Sequence, residues 1–219
     1  MTAAQLPPVV VAVAWGIAGL LVGAGVRWAS VRLAHLEGLQ PGDEPWQVYG
    51  PVALAGVLFA LFGWRLGPVP LLLVRSLWIA VLVQVIFFDI EHHLILDRVL
   101  LPGAAAAILL SLVTPSLGWL MAVLTGLGTG LVFLAIAAIG AVIFNTEAMG
   151  LGDVKLSAFL GLILGLRPTV AAILLGVCLA GFIAFALVLL RRRTMKDSIA
   201  YGPFLAAGAL VVLLSLGGA

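Results

Sequence analysis

The chain is nearly free of cysteine, because Cys178 is the only one among its 219 residues. A single cysteine cannot form a disulfide within the chain, and it excludes a cysteine-ligated zinc site built from one chain. Cys178 lies in an apolar run, and we predict that it is a small hydrophobic core residue.

Charge is also scarce. Charged residues make up 9% of the chain, whereas a soluble domain carries about 25%. Hydrophobic residues reach 64%, and the mean hydropathy is +1.29. A soluble core of this size could not bury so much apolar surface, so the composition predicts a polytopic membrane protein. The formal charge is +2, and the basic residues lie in connecting segments, which favours membrane orientation over nucleic-acid binding.

Two catalytic signatures are missing. The sequence contains no glycine-rich phosphate-binding loop, and it lacks the helical histidine spacing of a zinc protease.

The segment Met1–Gln5 has no lysine or arginine, so a cleaved signal peptide is not indicated. We therefore interpret the apolar run Pro7–Val26 as a retained first helix.

The apolar runs predict an all-α bundle of about eight transmembrane helices. A span needs about 20 mostly apolar residues. The Leu156–Leu166 run is short, and it could span only if Gly150–Lys155 enters the membrane with it. A seven-helix arrangement in which this run is re-entrant stays open. The predicted spans are Pro7–Val26, Val48–Trp64, Val69–Phe88, Val99–Val113, Leu117–Phe144, Leu156–Leu166, Pro168–Leu190 and Tyr201–Leu216.

The distribution of basic residues predicts the orientation. The positive-inside rule places the more basic set of connections in the cytoplasm, which puts the N-terminus outside. Asp89, Asp97 and Asp153 then share the cytoplasmic side. The opposite side offers three basic residues, Arg65, Arg75 and Arg167. The predicted cytoplasmic set has eight, namely Arg27, Arg32, Arg98, Lys155, Arg191, Arg192, Arg193 and Lys196.

Three aspartates border predicted spans. Carboxylates near hydrocarbon are costly unless they are paired or hydrated, so they are candidates for function. Asp89 is predicted at the cytoplasmic end of the third helix. Asp97 starts the next helix, where its charge would complement the helix dipole, and we assign it that structural role. Asp153 lies among glycines, which permit close backbone approach or positive φ.

Lys155 follows Asp153 by two residues and could form an ion pair with it. Residues two apart do not share a helix face, however, so such a pair would be poor.

Glu91, His92 and His93 form a cluster that could suggest a metal site. Adjacent residues point in different directions, however, and we predict no metal here.

Three motifs match a known family. The segment Phe88–Asp97 (FDIEHHLILD) has a second aspartate eight positions after the first, and Glu147–Leu156 (EAMGLGDVKL) contains Gly-x-Gly-Asp followed by lysine. Tyr201–Ala206 (YGPFLA) resembles a Gly-Pro-Phe segment that opens a last helix. From about Val69 to the C-terminus the chain resembles the type IV prepilin peptidases, which are Gly-x-Gly-Asp membrane aspartyl proteases.

The resemblance implies an aspartic endopeptidase. Asp89 and Asp153 would be the catalytic pair, supported by Gly150, Gly152, Lys155, Asp97 and Glu91, with no metal. The implied reaction removes the basic leader of type IV prepilins or pseudopilins at the cytoplasmic face of the bacterial inner membrane. Proteolysis needs no cofactor. Many members then N-methylate the new terminus with S-adenosylmethionine, a methyltransferase activity that stays open for this chain.

The resemblance also implies the partners and the organisation. The partners would be the prepilin helix and membrane lipids, in type IV pilus assembly or protein secretion, with no nucleic acid. Residues 1–68 would form two helices with a short cytoplasmic loop, and residues 69–219 a six-helix peptidase core in a single membrane domain. The family's usual Cys-x-x-Cys zinc ligands are absent from Arg27–Gln47, and Leu96 stands where a proline is frequent.

Two rival functions remain open. A small proton-coupled transporter would use Asp89, Asp153 and Lys155 as a proton relay, and it would predict internal repeats and broken helices. A non-enzymatic assembly subunit would bind pilin helices and tolerate the loss of both aspartates. The substrate, the oligomeric state and the aspartate that carries the proton are not fixed by the sequence.

Overall fold

The computed structural model describes residues 7–112, 118–144, 149–190 and 200–216. All regular structure in these ranges is helical. Three helices begin at a proline, whose fixed φ and missing N–H suit the first helical turn. The eight helices are α1 (Pro8–Leu36), α2 (Pro45–Leu66), α3 (Pro70–His92), α4 (Asp97–Ser111), α5 (Trp119–Phe144), α6 (Leu151–Leu164), α7 (Leu166–Leu189) and α8 (Gly202–Ser215).

The predicted class, a polytopic helical membrane bundle, is confirmed. Five helices, α1, α2, α3, α5 and α7, are long and apolar enough to cross a membrane. The other three are shorter, with 15 residues in α4 and 14 in each of α6 and α8. At about 1.5 Å per residue, these three are shorter than the hydrocarbon core.

Helix α1 is longer than the sequence predicts. It continues past Val26 to Leu36, so Arg27 lies on the helix rather than in the connection. The helix ends where Gly38 adopts a positive φ of 72° and the Leu39 N–H donates to the Ala34 carbonyl at 2.8 Å. Hydropathy missed these residues because it registers only the part of a helix that lies in lipid.

The first compact unit comprises Met1–His92 and Leu213–Ala219. Helices α1 and α2 approach closely at glycines, since a Cβ at Gly19 would lie 2.6 Å from the Ala55 carbonyl oxygen. Polar side chains link α1 to α3 within this apolar unit. Gln84 Nε2 donates to Ser30 Oγ at 2.9 Å, and both residues are buried.

The second compact unit comprises His93–Val212. Helix α6 packs on α5 through Gly161, where a Cβ would lie 2.7 Å from the Thr125 carbonyl oxygen. Gly165, with φ of 77°, ends α6 immediately before α7 begins. Thr169 Oγ1 donates to the Gly165 carbonyl at 2.6 Å, so this junction is held from the next helix.

Cys178 is exposed on α7, so the prediction that it lies in the core is wrong. A small apolar residue needs no burial on a helix surrounded by lipid.

The basic run Arg191–Arg193 and Lys196 lies outside the described residues, as do Glu147 and Ala148 of the second motif. The domain division after residue 68 stays a prediction.

Candidate active site

Asp89 lies in the last turn of α3. Its predicted position at the end of the third span corresponds to a place inside the helix, three residues before the terminal His92. Only 5% of Asp89 is exposed, and the adjacent Phe88 is also buried. A carboxylate buried in such surroundings is costly unless it is compensated, so Asp89 is a candidate for a functional role.

Glu91 follows Asp89 by two residues and is held by a polar cluster. Arg27 Nη1 on α1 lies 3.4 Å from Glu91 Oε2. The Gly42 N–H donates to Glu91 Oε1, and Arg27 Nη2 donates to the Gly42 carbonyl. Side-chain exposure is 14% for Arg27 and 6% for Glu91. We call Arg27, Gly42 and Glu91 the Glu91 cluster; it joins α1, the 37–44 connection and the end of α3.

The two histidines after Glu91 have different environments. His92 Nε2 lies 3.3 Å from Glu91 Oε1, and the His92 ring packs on Phe88 with centroids 4.6 Å apart. His93 is exposed and has a φ of 53°, a left-handed conformation that histidine adopts more readily than most residues. Within the described ranges, His, Cys, Asp and Glu side chains form no group of three suited to a metal ion.

Asp153 lies in the first turn of α6 and is half-buried. Its N–H donates to the carbonyl of Gly150, the N-cap residue, at 3.1 Å. The N-terminus of a helix favours negative charge, because its first N–H groups lack partners within the helix. This electrostatic setting is opposite to that of Asp89, which lies near a helix C-terminus.

Of the two glycines in the second motif, Gly152 acts through its small size. Gly150 has an ordinary φ of −69°, so positive φ is not the reason for glycine there. A Cβ on Gly152 would lie 3.0 Å from the Ile95 Cβ, and Ile95 is buried. Close backbone approach, one of the two alternatives from the sequence, therefore applies at Gly152.

Lys155 pairs with Asp97 rather than with its neighbour in the motif. Lys155 Nζ lies 2.7 Å from both Asp97 carboxylate oxygens. The side chains are 45% and 50% exposed, so solvent screens this pair. Asp97 is the first residue of α4, and the pair ties the start of α4 to the start of α6.

Two residues of the Glu91 cluster were not among the predicted site residues. The sequence predicts Arg27 only as an orientation signal, and Gly42 lies within residues 27–47, for which it predicts only a short cytoplasmic loop. Arg27 and Glu91 are 64 positions apart, so no local pattern could pair them. The one available signal was the acidic Glu91 so near the end of an apolar span, where burial would require a cation.

The described helices and the two acidic motifs define a polytopic helical membrane protein in which Asp89 is buried and Asp153 is half-buried. The chain belongs to the type IV leader peptidase family, whose model matches residues 76–185. That match covers half of the chain and includes Asp89, Glu91, Asp97, Asp153 and Lys155.

Curated relatives agree with the family. A prepilin leader peptidase/N-methyltransferase of Bacillus subtilis strain 168 is 34% identical over 160 residues, covering 72% of this chain and 61% of the relative. A protein of the same name from Aeromonas hydrophila is 31% identical over 134 residues, covering 61% of this chain and 46% of the relative. The chain thus spans about half to three fifths of these relatives' lengths. No solved structure matches the chain significantly.

Proposed function

We propose that this chain is an intramembrane aspartic endopeptidase that cleaves the leader peptides of type IV prepilins or pseudopilins. One observation carries the proposal: the family match spans both acidic motifs, and so includes both Asp89 and Asp153. Named relatives are prepilin leader peptidases. The burial of Asp89 supports the same role, because a structural carboxylate would be expensive there.

In the proposed reaction, Asp89 and Asp153 form the catalytic pair. Two carboxylates brought close together cannot both ionise cheaply, so the pair shares one proton. The ionised member takes a proton from the attacking water while the protonated member donates to the peptide carbonyl oxygen. Collapse of the tetrahedral intermediate breaks the C–N bond, and a carboxyl group returns a proton to the leaving amine. The titration belongs to the pair, so neither role is assigned individually.

The proposed orientation places the reaction at the cytoplasmic face of the bacterial inner membrane. Asp89 lies near the end of α3 and Asp153 near the start of α6, with α4 and α5 between them in the chain. We propose that α4 and α5 each cross once, which returns the chain to its starting side. The basic residues at or near the helix ends of that side outnumber those of the other side by eight to three in the sequence, which supports the cytoplasm for it. The basic leader would then stay in water, while the apolar prepilin helix lies in lipid.

Methyl transfer is a separate question for this chain. The relatives carry N-methyltransferase in their names, so S-adenosylmethionine is the donor to test. Residues 27–47 do not fit the zinc site usual in the family, because they contain no cysteine. We therefore route no step through zinc, and we propose peptidase activity as the primary function.

The decisive experiment incubates the purified detergent-solubilised protein with a prepilin and locates the cleavage site by mass spectrometry. We expect cleavage by the wild type, and a loss on the order of 10⁴-fold in Asp89→Asn and Asp153→Asn. Asp43→Asn is the matched control, because it removes an exposed carboxylate from the 37–44 connection. Adding S-adenosylmethionine to the same assay tests methylation through the mass of the new N-terminus.

The outcomes separate the rival functions. Near wild-type cleavage by either catalytic aspartate variant would refute the proposed pair. Prepilin binding without cleavage, unchanged in both variants, would favour a non-enzymatic assembly subunit. Proton-coupled substrate uptake by reconstituted wild-type protein, without cleavage, would favour the transporter.

A further inference from the structure

The Glu91 carboxylate occupies an unfavourable position. It lies one residue before the end of α3, where the helix dipole disfavours negative charge, and its side chain is only 6% exposed. Asp89 places a second carboxylate in the same turn. A buried carboxylate in such a position is stable only when cations and N–H donors compensate it.

The compensation comes from distant segments of the same compact unit. Arg27 supplies the positive charge from α1, and the Gly42 backbone supplies an N–H from the 37–44 connection. Arg27 also donates to the Gly42 carbonyl, which fixes the connection to α1. His92 contacts the same Glu91 oxygen that accepts from Gly42. One carboxylate therefore joins three segments.

The end of α3 needs such a constraint. The last carbonyls of any helix lack partners within the helix, so terminal turns open easily unless they are capped or packed. A glycine does not follow α3; instead His93 adopts the left-handed conformation. The side-chain contacts of Glu91 are placed where they can hold the turn that carries Asp89.

We propose that Glu91 is a positioning residue for Asp89: through Arg27 and Gly42 it fixes the last turn of α3 in the geometry that cleavage requires. The inference rests on the proposed function, because it takes Asp89 as catalytic. Glu91 itself does not bind the basic leader. Both of its carboxylate oxygens are engaged within the protein, and little of the side chain is accessible.

Steady-state kinetics on the full chain in detergent, with a prepilin substrate, test the proposal. Glu91→Ala removes every contact of the carboxylate, and we expect kcat to fall by about 10- to 100-fold, as for a misplacement of about 1 Å. KM should change less than about twofold, because ground-state binding is unaffected. Glu91→Gln should lie between, since its amide oxygen still accepts from Gly42 but loses the attraction of Arg27. Asp43→Asn should match the wild type.

A second measurement does not depend on activity. Hydrogen–deuterium exchange should accelerate at residues 87–93 and at Gly42 in Glu91→Ala, and to a lesser degree in Glu91→Gln, while α6 exchanges as in the wild type. If Glu91→Ala does not fold, Glu91→Gln carries both measurements. Unchanged exchange at the end of α3 in a folded variant would overturn the proposal, even if the wild type cleaved no prepilin.

The kinetic outcomes also separate this inference from the proposed function. If Asp89→Asn cleaves normally, the proposed function fails and the catalytic part of the inference fails with it, while the exchange result still decides whether Glu91 holds the last turn of α3. If Asp89→Asn is inactive but Glu91→Ala keeps the wild-type kcat, positioning is refuted and the peptidase stands. A raised KM with constant kcat would make Glu91 a substrate-binding residue, which also refutes positioning.

Discussion

The end of α3 and the start of α6 hold their aspartates by different physical means. Near Asp89, the Glu91 cluster is a largely buried polar network of charges and backbone groups. Near Asp153, the ion pair between Lys155 and Asp97 is about half exposed, and α6 is packed on α5 through Gly161. A carboxylate at a helix C-terminus needs compensating charge, whereas one at an N-terminus is already favoured by the helix dipole.

The largest effect should come from removing the cation of the buried pair. Arg27→Met leaves the Glu91 carboxylate buried without its positive partner, which should reduce the free energy of unfolding by about 3 kcal/mol. SDS titration of the protein in mixed micelles would measure the change.

Arg32→Met on the same helix is the control for Arg27→Met. Arg32 is exposed and lies over the Trp28 ring at 5.3 Å, so its loss should cost less than about 1 kcal/mol. Equal losses in the two variants would show that burial does not distinguish the Glu91 cluster from a surface contact.

A smaller but clear loss should follow from disturbing the packing of α6. Gly161→Ala would place its Cβ 2.7 Å from the Thr125 carbonyl oxygen and 2.8 Å from the Gly126 Cα. Both are backbone atoms of α5, so the helices must shift, at a cost of about 1–3 kcal/mol. The free energy of unfolding from the same SDS titration provides the test.

Gly128→Ala supplies the matched control in α5, because nothing lies within 4 Å of a Cβ there. Alanine should stabilise that helix by up to about 1 kcal/mol. If Gly161→Ala proved as harmless as Gly128→Ala, packing would not be what holds the helix of Asp153.

The sequence predicted most of the helices and little of what holds their ends. Long apolar runs register burial in lipid, so the five candidate spans correspond to predicted runs. The predicted end of α1 at Val26 was wrong, because residues 27–36 continue the helix beyond the apolar run. Hydropathy does not detect these residues, because it registers only the part of a helix that lies in lipid.

The sequence allowed the acidic residues of the candidate site to be proposed, but not their contacts and not the two other members of the Glu91 cluster. The sequence motifs single out Asp89, Asp153 and the neighbouring glycines, and the free-energy cost of a carboxylate near hydrocarbon singles out the aspartates independently. The partners of the charged residues do not follow from the sequence, because Arg27 and Glu91 are 64 positions apart and Asp97 and Lys155 are 58 apart. The spacing of residues on a helix argued against a pair between Lys155 and Asp153, but it could not predict the pair between Lys155 and Asp97. Tertiary packing decides such pairs.

The smallest effect should come from the exposed pair. Lys155→Met removes the cation beside Asp97, but solvent already screens both side chains, so the loss should be below about 1 kcal/mol. Raising the salt concentration should shrink the difference between Lys155→Met and the wild type, because exposed charges are screened by ions. The same salt increase should leave the cost of Arg27→Met nearly unchanged, since that pair is mostly buried. In the cleavage assay, Asp97→Asn, which removes the other partner of this exposed pair, should keep most of the wild-type activity. Lys155→Met could instead lower the free energy of unfolding as much as Arg27→Met does, and independently of salt. That result would show that the surroundings of Asp89 and of Asp153 both depend on buried charge, and the contrast between the two motifs would be wrong.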